Sequence, residues 1–125
     1  MKKRILLSIH PEFAEAIFTG DKRFEFRRIT FKRTDIRQVV VYATSPVCRV
    51  VGYFEIDGVF ADRLDVLWRR TKKFGGVSKD DFDAYFFNRT FGFAIKVKNP
   101  VRFKDPQPLT KYLPSAVPPQ SFCYI

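Results

Sequence analysis

Several residue types that carry common chemistry are scarce in this sequence. It has two cysteines and one histidine in 125 residues, which is too few for a familiar zinc site. Its six glycines form neither a phosphate-cradling loop nor a Gly-x-Ser-x-Gly elbow. No apolar run approaches the length of a membrane span, and the basic, apolar start at residues 1–9 is too short for a signal peptide. We therefore expect no metal, no cofactor and no membrane partner.

The two cysteines also bear on the cellular compartment. Cys48 and Cys123 lie far apart in a chain that is large enough to fold without a disulfide. We expect both thiols to be reduced and mostly buried, in a cytoplasmic protein. Because 125 residues with 46% hydrophobic content can bury one core, we expect residues 1–125 to form a single domain.

Acidic residues are few relative to basic ones. The chain has 13 Asp and Glu against 23 Lys and Arg, a net charge of +10, which indicates a polyanionic partner. The basic residues are scattered through the predicted strands and helices instead of forming one basic amphipathic helix, which favours nucleic acid over a membrane surface. RNA, single-stranded DNA and a free nucleotide all stay open as partners, and so does the oligomeric state.

Hydrophobic periodicity and turn residues predict an α+β fold. The predicted strands cover residues 3–9, 20–28, 37–43, 49–60, 91–98 and 121–125, and the predicted helices cover residues 11–19 and 62–74, with a short third helix capped by Ser78. Gly52 predicts a bulge or a close backbone approach. Residues from 99 onwards hold six of the eight prolines, so we expect them to be extended and irregular until the last strand. Short strands and curvature signals suggest a small, partly open barrel with helices at its ends.

The stretch from Gly20 to Arg28 is the most informative part of the chain. Its alternation predicts a strand with Phe24 and Phe26 on a core face and with Glu25 and Arg27 together on an ionic face. Lys22 is out of phase with that pair, so it has to reach in from the turn after Gly20. If the ionic face points into a cavity it is a site, whereas on an edge strand these charges would simply be solvated.

Five segments resemble the ASCH domain family of the PUA-like superfamily. They are residues 7–14, 20–28, 42–46, 52–54 and 118–122, and they occur in the family's order along nearly the whole chain. The most specific element is Gly-x-Lys-x-x-Glu-x-Arg, met by Gly20, Lys22, Glu25 and Arg27. The resemblance implies a PUA-like β-barrel beside a cleft that binds RNA or a modified nucleoside, with hydrolytic chemistry in some relatives.

We predict RNA or nucleotide binding in this basic cleft. Lys22, Arg27 and Arg28 would contact phosphates, and Glu25 would accept a hydrogen bond from an exocyclic amino group. Thr44 and Ser45, at a strand end, would hold a phosphate or a base edge, or form an ordinary turn. The resemblance places Gln120, Ser121 and Phe122 beside the cleft, with Phe122 stacking on a base. His10 is expected to cap the first helix or to fill a polar niche.

A hydrolase acting on RNA or on a modified nucleoside is the alternative, with Lys22 and Glu25 as its catalytic residues. ASCH relatives that deacetylate acetylcytidine use a lysine, a threonine and a glutamate. Lys22 matches that lysine, but Glu25 stands where they carry threonine, and residues 73–77 contain no carboxylate. The amidohydrolase triad is therefore incomplete. A third possibility is a protein-interaction module whose basic surface binds an acidic partner.

Overall fold

The computed structural model describes residues 3–125, so the first two residues of the basic start lie outside it. The strands are β1 (Arg4–Ile9), β2 (Phe24–Arg27), β3 (Gln38–Ala43), β4 (Arg49–Arg63), β5 (Phe91–Gln107) and β6 (Phe122–Tyr124), and the helices are α1 (Pro11–Thr19), α2 (Leu64–Thr71) and α3 (Lys79–Tyr85), with a 3-10 turn at Leu109–Lys111. The predicted α+β class is confirmed.

The six strands form one sheet in the order β2-β5-β4-β3-β1-β6. β1 and β3 are parallel, and every other neighbouring pair is antiparallel. The β4–β5 ladder shifts register three times, and one of these shifts lies at Gly52, where an added Cβ would collide with the carbonyl of Val101. Such irregularities bend strands, and the sheet curls into a half-barrel. The prediction of a bulge or close approach at Gly52 is therefore confirmed.

Three apolar clusters hold the sheet and the helices together. One packs α1 against β1 and β3, with Ile5, Ile17 and Val39 fully buried. A second lies on the other face of the sheet, around Leu6 and Val40. Adjacent β1 residues therefore serve opposite faces, as the two-residue period of a strand requires. The third joins α2 and α3 to β2 and β5.

Helix α1 begins and ends where the sequence predicts. Pro11 occupies its first turn, and Gly20 follows with φ of 90°, a left-handed cap whose N–H donates to the Ile17 carbonyl. His10 stands at the N-cap position but makes no side-chain capping bond, so the prediction that it caps the helix is wrong. The helix thus delivers the chain to Lys22, whose N–H donates to the Ala16 carbonyl.

The prediction that residues from 99 onwards are extended and irregular is wrong for residues 99–107, because β5 continues to Gln107. Between β5 and β6 the 3-10 turn is the sole regular element, so the prediction is confirmed for that segment. Pro100 and Pro106 are tolerated in β5 because β2 pairs only with the first half of β5, as far as Lys96. Beyond that point the outer edge of β5 faces solvent, and a residue without an N–H costs no ladder hydrogen bond on that edge.

Two smaller predictions also need correction. Helix α2 is shorter than the predicted 62–74, because Asp62 and Arg63 still pair with β5 as part of β4. Cys48 is exposed, next to the turn that follows β3, and Cys123 is half-buried, so the prediction that both thiols are mostly buried is wrong; no disulfide joins them. Within residues 3–125 no helix is long and apolar enough to span a membrane.

Candidate functional site

A cavity of about 820 Å³ opens between the sheet, α1 and α3. Its lining residues are Ser8, Ile9, His10, Glu12, Phe13, Lys22, Glu25, Phe26, Arg27, Arg28, Ile29, Thr44, Val77, Asp81, Phe82, Tyr85, Arg89, Gln120 and Ser121. Seven of the nine predicted site residues are among them. The fold brings them together because the curl of the sheet brings its opposite edges, β2 and the segment before β6, close enough for Arg27 to bond the Ser121 carbonyl, and the end of β3 lines the same cavity.

Lys22 lies at the floor of the cavity. Its side chain is 2% exposed, and its amine donates to the Gly75 carbonyl at 2.6 Å. The amine also lies over two aromatic rings, 5.4 Å from the centre of Phe13 and 4.9 Å from that of Phe26. Burial lowers the pKa of this amine, the Glu25 carboxylate raises it, and Arg27 lowers it again. This lysine is therefore held in one place rather than free to follow a mobile phosphate.

Glu25 stands between two cations. Its carboxylate is 8% exposed, with Oε1 at 3.9 Å from the Lys22 amine and Oε2 at 3.6 Å from the Arg27 guanidinium. Both separations exceed a hydrogen bond. The carboxylate therefore lies between two cations, and its lone pairs remain available to a ligand donor.

Arg27 and Thr44 each present an unsatisfied polar atom. One guanidinium nitrogen of Arg27 donates a hydrogen bond to the Ser121 carbonyl at 2.9 Å. Among the described residues, its Nε and the Thr44 Oγ1 are both buried without a hydrogen-bond partner. A buried donor or hydroxyl that lacks a protein partner costs about 1–3 kcal/mol. Both residues line the cavity, so a polar ligand there would recover that free energy.

Two predicted residues lie elsewhere. Phe122 is part of β6, pairs with Leu7 and packs edge-on against Phe31 and Tyr124. It therefore packs next to residues of the cavity wall and does not line the cavity itself. Ser45 is exposed in the turn after β3, outside the lining residues.

Sequence reasoning missed the contribution of α3. Its N-cap, Ser78, accepts from the N–H of Asp81, and the helix presents Asp81 and Tyr85 to the cavity. The Arg28 guanidinium lies 4.7 Å from the centre of the Tyr85 ring. Phe82, Tyr85 and Phe86 recur at helical spacing, and Phe82 and Phe86 are core residues, but this apolar pattern carries no signal for which positions face a cavity.

Within residues 3–125 no three His, Cys, Asp or Glu side chains are grouped as metal ligands would be. The cavity instead offers hydrogen-bonding and charged groups. Deep in it are a buried carboxylate flanked by two cations and, without a partner among the described residues, a guanidinium N–H and a hydroxyl; at its rim are Arg28, Arg89 and Tyr85. It can hold a polar molecule that carries both donors and acceptors.

Comparison with known proteins gives relatives of two kinds. The ASCH domain-containing ribonuclease of Zymomonas mobilis is 28% identical over 126 residues, which cover 99% of this chain and 85% of that protein. The large ribosomal subunit protein uL22 of Ureaplasma parvum is 31% identical over 111 residues, or 86% of this chain. This chain spans only 35% of the length of that uL22 protein.

The fold comparison agrees. The crystal structure of ASCH from Zymomonas mobilis matches with a TM-score of 0.89 and 28% identity, over 98% of this chain and 87% of that one. The ASCH domain matches residues 7–100, which is most of the chain and includes the Gly-x-Lys-x-x-Glu-x-Arg segment. The chain therefore belongs to the ASCH domain family and has its PUA-like fold.

Proposed function

We propose that this chain binds RNA, or a nucleotide within it, in the cavity between the sheet, α1 and α3. The observation that carries the proposal is the set of polar groups lining the cavity: the buried Glu25 carboxylate lies 3.6 Å from the Arg27 guanidinium, and the Arg27 Nε and Thr44 Oγ1 have no hydrogen-bond partner among the described residues. A nucleobase edge offers donors and acceptors side by side, which is what this set of groups requires. A bare phosphate would instead be repelled by Glu25.

In this arrangement the base of the nucleotide lies at the cavity floor and its phosphate lies at the rim. Glu25 accepts from an exocyclic amino group, and Arg27 and Thr44 bond to ring or carbonyl acceptors of the base. Arg28 and Arg89 contact the phosphate at the rim. Tyr85, the ring under Arg28, takes the stacking role that sequence analysis gave to Phe122. The Lys22 amine, 3.9 Å from the Glu25 carboxylate, helps to hold that carboxylate in position.

Two further facts support RNA as the ligand. The net charge of +10 favours a polyanion, and the Zymomonas mobilis relative carries the name ribonuclease. Single-stranded RNA suits the site better than a duplex, because a base can enter the cavity only if it is unstacked.

The test is fluorescence anisotropy with labelled single-stranded RNA at several salt concentrations. We expect the logarithm of the binding constant to fall linearly with the logarithm of the salt concentration, by about 0.7 for each phosphate contact. Arg28→Gln should therefore reduce the slope by about 0.7. Lys104→Gln, which removes one exposed charge on the far half of β5, is the matched control and should leave the slope nearly unchanged.

A second variant tests the base contact. Glu25→Gln should weaken binding to cytosine- or guanine-containing RNA by roughly 1–3 kcal/mol relative to oligouridine, with little effect on the salt slope. Thermal unfolding of the same variant checks that the cavity floor stays folded. Binding that is absent, insensitive to salt or unchanged in both cavity variants contradicts the proposal.

Hydrolysis of RNA is the second candidate function, favoured by the match to a ribonuclease along 99% of this chain. Glu25 would remove the proton of a ribose 2′-hydroxyl, whose oxygen attacks the adjacent phosphorus. Lys22 and Arg27 would stabilise the phosphorane. The P–O5′ bond breaks, the 5′-oxygen takes a proton from water, and Glu25 releases to the solvent the proton that it accepted, so the products are a 2′,3′-cyclic phosphate and a 5′-hydroxyl.

End-labelled RNA incubated with the protein tests this step. Glu25→Gln should lower the cleavage rate by at least 10²-fold, the usual contribution of a general base. Arg28→Gln, at the rim, should mainly raise KM. If the wild type releases no cyclic phosphate from RNA and no acetate from N4-acetylcytidine, the hydrolase hypothesis fails and binding alone stands.

A further inference from the structure

We propose that a second surface, the α2 basic surface, binds the phosphate backbone of RNA outside the cavity. It consists of Arg23, Arg69, Lys72 and Lys73, which are all exposed. This inference rests on RNA binding by the cavity and adds a second, sequence-independent contact to it. The ligand chemistry is a single-stranded phosphodiester chain.

Two distant segments converge on this surface. Arg23 follows the turn after α1, and its N–H donates to the carbonyl of Phe74, beyond the end of α2, at 2.7 Å. The Arg23 guanidinium lies 4.1 Å from the centre of the Phe74 ring, and the Lys73 amine lies 5.7 Å from the same ring. The Phe74 ring thus contacts cations from both segments.

The charges of the surface are not neutralised locally. The carboxylates near the start of α2 already have partners, since Asp62 pairs with Arg70 at 2.7 Å and Asp65 pairs with Arg63 at 3.7 Å. In the part of the chain that the structure describes, no carboxylate lies within ion-pair distance of the four cations of the α2 basic surface. Cations at a helix C-terminus stabilise the helix, which explains the basic residues at the end of α2 but does not explain Arg23.

The spacing suits a chain of phosphates. Arg69 is three and four residues before Lys72 and Lys73, so these side chains are neighbours on one face, about 5–6 Å apart at Cβ if the helical path continues. Lys72, the residue after α2, keeps right-handed helical backbone angles. A row of cations at this spacing can neutralise consecutive phosphates without reading any base.

The α2 basic surface is separated from the cavity by one layer of residues. Lys22 and Gly75 meet at the cavity floor through their 2.6 Å hydrogen bond. Their immediate neighbours in the chain, Arg23 and Phe74, meet on the outer side. Adjacent Cα atoms are about 3.8 Å apart, so the α2 basic surface lies directly behind the cavity floor. A single strand whose phosphates leave the cavity at the rim has to run around the protein to reach this surface, which a long RNA can do and a trinucleotide cannot.

The experiment compares two RNA lengths and two triple variants. Arg69→Gln, Lys72→Gln and Lys73→Gln together remove three charges from the surface and leave the backbone contact of Arg23 intact. Lys98→Gln, Lys104→Gln and Lys111→Gln together remove three exposed charges from the second half of β5 and the 3-10 turn, as the matched control. Each protein is titrated with a labelled trinucleotide and with a labelled 20-nucleotide single strand.

We expect the α2 triple variant to bind the long RNA on the order of tenfold more weakly at low salt, with a salt slope smaller by about 2, which is three contacts at about 0.7 each. Its affinity for the trinucleotide should change by less than about twofold, because salt screens the interaction between exposed charges outside the cavity and a ligand inside it. The control triple should weaken long-RNA binding by less than about threefold, through net charge alone.

Every remaining outcome contradicts at least one of the two proposals. Equal losses in the two triple variants would show that only net charge matters and would overturn the α2 basic surface. An unchanged affinity for long RNA in the α2 triple would do the same, while leaving cavity binding in place. If the wild type binds neither RNA, cavity binding and the α2 basic surface both fail.

Discussion

At the scale of single residues, the cavity floor contains a buried ionisable side chain, Lys22, whose neighbours compensate for its burial. Lys22 is 1% exposed, yet its amine has a carbonyl acceptor, a carboxylate at 3.9 Å and two aromatic faces. A buried ammonium without such neighbours would be costly to retain. Gly76 completes the enclosure, because its missing side chain leaves space for the aliphatic stem of Lys22.

Replacing this glycine tests how tightly Lys22 is held. Gly76 has φ of 69°, and an added Cβ would lie 2.6 Å from the Lys22 Cβ and 2.7 Å from its Cγ. Gly20, with φ of 90° and no described heavy atom within 4 Å of an added Cβ, is the matched control. Gly20→Ala should cost about 1 kcal/mol of backbone strain. Gly76→Ala should cost a further 1–3 kcal/mol or so through overpacking, measured by urea unfolding. Equal losses in the two variants would mean that Lys22 shifts freely.

At the scale of elements, the sequence predicts apolar periodicity well and contacts between elements poorly. The bounds of α1 match because proline and glycine mark both of its ends locally. The extent of β5 was underestimated, because whether Pro100 is tolerated depends on how far the neighbouring strand β2 reaches. That length is a property of the sheet and not of the segment around the proline.

The same division applies to the elements that form the site. The two-residue period of β2 placed Glu25 beside Arg27, and the structure gives 3.6 Å between their charged atoms. The roles of these residues stay predictions. The contributions of α3, Asp81 and Tyr85, could not be predicted, because they depend on how the helix packs through Phe82 and Phe86 against Phe26. Residues that reach a site through tertiary packing leave no local signal.

At the scale of the whole molecule, the cavity is closed by segments from opposite ends of the described chain. Ser8, in β1, donates from Oγ to the Pro119 carbonyl at 2.7 Å, and its N–H donates to the Ser121 carbonyl at 3.4 Å. The Arg27 guanidinium binds the same Ser121 carbonyl at 2.9 Å. Three contacts therefore hold residues 119–121 as one wall of the cavity, with Gln120 and Ser121 facing into it.

If this wall shapes the ligand site, loosening it should weaken binding in the cavity without affecting the α2 basic surface. Ser8→Ala removes one hydrogen bond across 111 positions of sequence and should cost about 1 kcal/mol of unfolding free energy. Ser115→Ala removes an exposed turn hydroxyl and is the matched control. In Ser8→Ala we expect several-fold weaker trinucleotide binding by anisotropy and an unchanged salt slope for long RNA, because no cation is lost. An unchanged trinucleotide affinity together with the expected loss of stability would mean that residues 119–121 support the fold and do not shape the site.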